Sequence, residues 1–203
     1  RLTNIAHRLV GFSARYERLE RDLQLLIDID GMVTWSNRFY NQTIPIVDVV
    51  ADRYPLVIFH GDVGTGKTIT AEAISNTLAA NLNKEAWLFK LSTRVRGTGQ
   101  VGQMSSLINQ AFEIVTKEVG KRRLAFLILD EADSLVATRE TDQSHHEDKV
   151  AVNTLIQKID DIRRFKGRVL VYLCTNRFNS LDPAILRRAG RIEYFERPND
   201  VER

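Results

Sequence analysis

Five short apolar runs punctuate the chain: Leu56 to Phe59, Trp87 to Leu91, Leu124 to Leu129, Val169 to Leu173 and Ile192 to Phe195. Each has the length of a strand, and most of the stretches between them carry apolar residues at helical spacing. The pattern predicts an α/β fold, a parallel sheet with helices between its strands. The clearest helix is Ser105 to Val119, where Leu107, Ile108, Ala111, Phe112, Ile114, Val115 and Val119 recur with a period of about 3.6. A second is expected from Thr68 through Ala71, Ile74 and Leu78 to Leu82. A third spans Glu147 to Ile162, with Val150, Leu155, Ile156 and Ile159 on its buried side. Ahead of the first strand, Tyr16 to Ile29 reads as a charged amphipathic helix, followed by a break at Gly31 and another helix near Pro45 to Arg53. Trp35 and Trp87 are expected in the core or at its edge.

Composition adjusts this picture only at the margins. Of 203 residues, 43% are hydrophobic and 27% charged, enough apolar mass for a sizeable core under a soluble surface. The longest unbroken apolar run, Leu124 to Leu129, is far short of the roughly 20 residues that cross a bilayer, so no contact with a membrane interior is expected. A lone cysteine, Cys174, excludes an internal disulfide framework and reads as a small core residue. It fits a reducing compartment, cytoplasmic or, in a eukaryote, nuclear. Basic residues number 29 against 26 acidic and the two are interspersed, which favours a mixed solvated surface over a nucleic-acid face. His145 and His146, followed by Glu147 and Asp148, are adjacent at a helix start and so point in different directions, which argues against zinc.

The chemistry is concentrated in three places, each at the end of an apolar run. The first run leads into Gly61-Asp62-Val63-Gly64-Thr65-Gly66-Lys67-Thr68, with a helix directly behind it. Glycines at fixed positions let the backbone wrap close to phosphate oxygens and aim successive N–H groups at them, while the helix N-terminus favours negative charge. Lys67 would reach the β and γ phosphates of ATP, and the Thr68 hydroxyl would ligate Mg2+. The run Leu124 to Leu129 stops at Asp130 and Glu131, at the strand end where ligands bind in parallel sheets. Asp130 would hold Mg2+ through water, and Glu131 would polarise the water that attacks the γ phosphate. Asp133 and Ser134 nearby read as supporting or capping residues. Behind the fourth run, Asn176 of Cys174-Thr175-Asn176-Arg177 would hydrogen-bond either the γ phosphate or the attacking water.

These motifs resemble those of AAA+ ATPases over roughly residues 50 to 198. Gly61 to Thr68 looks like the Walker A motif, Leu127-Ile-Leu-Asp-Glu-Ala-Asp133 like Walker B, and Thr175-Asn176-Arg177 like sensor 1. The tract Leu181-Asp-Pro-Ala-Ile-Leu-Arg-Arg-Ala-Gly-Arg191 is similar to the second region of homology. That resemblance implies an arginine supplied to the ATP of a neighbouring subunit in a ring, Arg188 first and Arg191 second, one residue being added to the usual spacing. It implies five parallel strands between helices, with residues 1–54 a helical lead-in, 55–198 the nucleotide-binding core, and 199–203 the start of a linker to a helical lid lying outside this sequence. The spacing and the helix Val150-Ala-Val-Asn-Thr-Leu-Ile-Gln-Lys-Ile-Asp-Asp-Ile162 further resemble the pachytene-checkpoint branch, which implies a homohexamer that remodels a HORMA-domain protein through its central pore. Gln100, Val101 and Gly102 stand where such proteins carry a pore loop, with Gln100 in place of the usual aromatic; a surface loop is the alternative. Val10-Gly11-Phe12 resembles the segment that packs on adenine in that superfamily. A nucleic-acid machine built on the same engine, or a nucleotide-gated scaffold, are rival functions. Against the first, the stretch after the second strand offers only Arg94 and Arg96 to track phosphates; against the second stands Glu131.

Overall fold

The computed structural model describes residues 13–92, 103–120, 122–135 and 144–197. All five apolar runs form strands: β1 (Leu56–Gly61), β2 (Ala86–Ser92), β3 (Leu124–Asp130), β4 (Val169–Thr175) and β5 (Arg191–Phe195). They pair in parallel in the order β2-β3-β4-β1-β5. Both faces of the sheet are covered, which is why β3 and β4 read as continuous apolar runs instead of alternating ones: every residue of β4, and all of β3 but Asp130, is buried.

Alternate residues of each strand enter separate cores. Leu56 and Ile58 of β1, Leu127 and Leu129 of β3 and Val171 and Leu173 of β4 face one side. There they meet Ile108, Phe112 and Val115 of α5 (Gln103–Val119) and Leu155 and Ile159 of α6 (Ser144–Ile162). On the other side Val57, Phe59, Phe126, Ile128, Tyr172 and Cys174 pack on Ile74 and Leu78 of α4 (Lys67–Asn81) and on Leu19 and Leu23 of α1 (Ser13–Ile27). A short α7 (Pro183–Leu186) precedes β5. Among the described residues no helix is long and apolar enough to cross a membrane.

Five expectations are corrected. The chain breaks at Asp28, not Gly31, and an additional helix, α2 (Ile29–Tyr40), precedes α3 (Pro45–Ala51). Asp28 caps α2 by accepting from the Gly31 amide at 3.2 Å, so closely that a Cβ at Gly31 would lie 2.2 Å from the carboxylate. The glycine makes room for the cap. Ile114 and Val150 are exposed. Ile114 lies two residues from Phe112, and Val150 five from Leu155, and at about 100° per residue both offsets turn the side chain away from the core. Trp35 and Trp87 are also exposed, by 47% and 41%; Trp35 packs on Phe39 and Tyr40 at the surface, and Trp87 stands on the edge strand.

Strand order matters most for the site. β4 lies between β1, which ends in the glycine-rich loop, and β3, which ends in two carboxylates. The tip of β4 is therefore delivered between the other two.

Candidate nucleotide site

Gly61 closes β1 with φ 142°, and a Cβ there would stand 2.1 Å from the Phe195 carbonyl oxygen of the neighbouring strand. Only glycine fits both conditions. Gly64 (φ 80°) and Gly66 (φ 88°) turn the loop back so that α4 opens at Lys67 with its first amides facing the loop. The Lys67 ammonium folds over that loop, donating to the carbonyls of Gly61 at 2.9 Å and Asp62 at 2.6 Å. Burial pushes its pKa down, while neighbouring groups, including Asp133, Asp130 and Asp62, oppose the shift. Thr65 braces the turn by donating to the Asp62 carbonyl at 2.8 Å.

From β3, Asp130 Oδ1 accepts the Thr68 hydroxyl at 2.8 Å and the Glu131 amide at 3.1 Å. Its Oδ2 lies 3.3 Å from the Lys90 ammonium of β2, which also reaches Glu72 of α4 at 3.4 Å. Lys90 escaped the sequence reading. Its signal is a lone cation in an apolar strand, on the same alternating face as Leu88. Glu131 has φ 57°, a left-handed conformation that costs a residue with a Cβ about 1–2 kcal/mol. Strain retained at a carboxylate beside a phosphate loop is what a functional constraint produces.

At the tip of β4, the Asp133 carboxylate organises the turn. Its Oδ1 accepts the Thr175 hydroxyl and, at 2.8 Å, the Asn176 amide; its Oδ2 accepts the Asn176 side-chain NH2 at 3.0 Å. Burial raises the Asp133 pKa, but these donors outweigh it and hold the carboxyl below the usual carboxylate range. Val63, Gly64, Gly66, Lys67, Thr68, Asp130, Glu131, Cys174 and Asn176 thus line one cleft of about 260 Å3 at the C-terminal ends of the strands. Burial pushes the Cys174 thiol up to about 12, as befits a core residue.

A hydroxyl and a carboxylate joined at 2.8 Å are hard oxygen donors of the kind Mg2+ takes, in the number a protein contributes when phosphates supply the rest. The residues fit the ion.

The arginines of the 181–191 tract have partners within their own chain. Arg188 forms a two-pronged pair with Asp160 of its own chain, at 2.7 and 2.9 Å, donates to the Ala184 carbonyl at 3.0 Å, and lies 5.6 Å from the centre of the Tyr54 ring. Arg191 is held by Asp22 at 3.0 Å and Glu193 at 2.7 Å. Both are thus paired with acidic residues of their own chain. Arg187, which the sequence reading passed over, is exposed, and its side chain has no ion pair or hydrogen bond among the described residues. Residues 100–102, like 10–12, lie outside the described residues, as do the side chains of His145 and His146.

A family model, "ATPase family associated with various cellular activities (AAA)", matches residues 57–197. Across its full length the chain is 52% identical to CD-NTase-associated protein 6 of Escherichia coli (strain KTE188), covering 68% of that protein. Among solved structures it is similar to a chain of the E. coli MS115-1 HORMA:CdnC:Trip13 complex, with TM-score 0.82, 40% identity, and coverage of 98% of this chain and 67% of that one. It is also similar to Rhizobiales Trip13, with TM-score 0.69, 32% identity, and coverage of 98% and 66%.

Proposed function

Because the chain belongs to the AAA family of ATPases, we propose that it is the nucleotide-binding core of a ring-forming enzyme that hydrolyses Mg-ATP to remodel a HORMA-domain protein. One observation carries the hydrolytic part: Lys67, Thr68, Asp130, Glu131 and Asn176 line a single cleft at the ends of three adjacent strands. In it the loop amides and Lys67 would bind phosphate, and Thr68 with Asp130 would hold the metal ion, which when bound offsets phosphate charge. Glu131 takes the proton of the attacking water, and Asn176 orients that water or the γ phosphate.

The ring and its partner rest on separate supports. We assign the trans role to Arg187, on the support that it is exposed and its side chain has no ion pair or hydrogen bond among the described residues; in another subunit a guanidinium would stabilise charge developing on the transferred phosphoryl group. Arg188 and Arg191 hold the tract in place. A closed ring gives every site such an arginine, and a homohexamer is the ring that the resemblance to the pachytene-checkpoint branch implies. For the partner, the support is similarity to a Trip13 chain solved together with a HORMA protein and CdnC, and to a CD-NTase-associated protein, which suggests a role in antiviral signalling.

Glu131→Gln tests this reading, since it keeps the shape of the site and removes the base. In the full-length protein the variant is expected to bind Mg-ATP with unchanged affinity, to release no phosphate, and to retain a HORMA-domain protein in an ATP-dependent pull-down. Unchanged phosphate release would overturn the assignment of Glu131, and a captured nucleic acid in place of protein would overturn the partner.

A further inference from the structure

The turn that carries Asn176 is gripped from both sides. On one side stands Asp133, in the short 3-10 turn Ala132–Leu135, two residues after Glu131. Its carboxylate takes the Thr175 hydroxyl, the Asn176 backbone amide at 2.8 Å and the Asn176 side-chain NH2 at 3.0 Å, and the Thr175 hydroxyl in turn receives the Arg177 amide at 3.0 Å. On the other side the Phe178 ring stacks on the His60 imidazole, with centroids 4.1 Å apart and planes 25° apart, and His60 immediately precedes Gly61 of the phosphate loop. Thr175 is fully buried, whereas Asn176 at the rim is exposed and, left to itself, its amide is free to rotate.

We propose that Asp133 is the positioning residue for Asn176. An ionised carboxylate only accepts hydrogen bonds, so an amide facing it must turn its NH2 inward and leave its carbonyl oxygen on the opposite side. Asp133 thereby fixes the plane of the Asn176 amide and which end of it faces the cleft. It also ties the tip of β4 to the turn that follows Glu131, so the two groups that act on the γ phosphate and the attacking water share one frame. This inference rests on the role given to Asn176 above.

Asp133→Asn removes that instruction at constant volume, because the new amide can present either end and Asn176 can then adopt either orientation. In the full-length protein kcat is expected to fall about 10- to 100-fold, the loss typical of a misplaced catalytic group, with the ATP KM changed by no more than about twofold. The decisive readout is non-additivity: Asp133→Asn combined with Asn176→Ala should be no slower than Asn176→Ala alone. Additive losses, or a normal kcat in Asp133→Asn beside a slow Asn176→Ala, would overturn the inference and leave the proposed function standing. A normal kcat in Asn176→Ala would overturn both this inference and the role assigned to Asn176. If Asp133→Asn does not fold, Thr175→Val serves in its place, since it removes one donor and keeps the carboxylate. A smaller kcat loss that disappears in the Asn176→Ala background supports the positioning role, and one that persists there refutes it.

Discussion

Adjacent arginines, Arg187 and Arg188, should respond in opposite ways to truncation. Arg188→Ala removes two charge-assisted bonds to Asp160 and one to the Ala184 carbonyl, leaving Asp160 without its cation. The pair is neither sealed nor open, with side-chain exposures of 22% and 40%. A sheltered hydrogen bond to a charged group contributes about 1.5–3 kcal/mol and an exposed ion pair about 0.2–1 kcal/mol. The intermediate setting gives a loss of about 1–2 kcal/mol, or a midpoint lowered by about 2–8 °C for a domain of this size. Arg187→Ala breaks no such contact and should leave stability within about 0.5 kcal/mol, while abolishing turnover in the proposed ring. Urea unfolding at constant m-value measures the first effect. Steady-state phosphate release measures the second, and mixing Arg187→Ala with Lys67→Ala subunits should partly restore activity, because an intact arginine then faces an intact phosphate loop. The reasoning fails if Arg188→Ala unfolds at the wild-type midpoint yet does not turn over, and Arg187→Ala remains active.

Two further outcomes follow from the same region. Gly61→Ala places a Cβ at 2.1 Å from the Phe195 carbonyl at φ 142°; backbone strain and overpacking together cost about 2–5 kcal/mol, so its urea midpoint should fall sharply, and an unchanged midpoint would refute the constraint. The His60 pKa is lowered, chiefly by burial and further by Lys67, against the opposing pull of Glu193; below the ordinary histidine value of about 6.5 the unfolded chain therefore takes up a proton that the folded one resists, and stability should fall as pH drops through that window. His60→Gln should flatten the profile between about pH 7 and 5, and an identical slope would assign it to other groups.

The sheet and the phosphate loop were legible because their signals are local. A strand buried on both faces must be apolar throughout, as in Leu124 to Leu129, and a loop wrapping phosphate needs glycines at set positions before a helix, as in Gly61 to Gly66. Side-chain direction at helix margins was less legible. Ile114 and Val150 are apolar and close to periodic, yet one or two positions of phase carry them out of the core. Gly31 suggested a break because glycine is a common breaker, whereas the break belongs to Asp28, whose cap needs the space that glycine leaves.

What the sequence determined by itself is the chemistry available: a phosphate loop, two carboxylates at a strand end, an asparagine at another, and a tract of three arginines. Each of these depends on residues adjacent in the chain, within reach of one strand end or one turn. Which group holds which was decided only by tertiary structure. Strand order sets β4 between β1 and β3, bringing Asp133 to Asn176 across 43 positions of sequence, and sets β2 beside β3, bringing Lys90 to Asp130 across 40. Likewise Arg188, just past α7, meets Asp160 of α6 across 28 positions, while its neighbour Arg187 is exposed. An arginine's charge is written in the sequence, but what it meets within its own chain depends on where a distant carboxylate arrives.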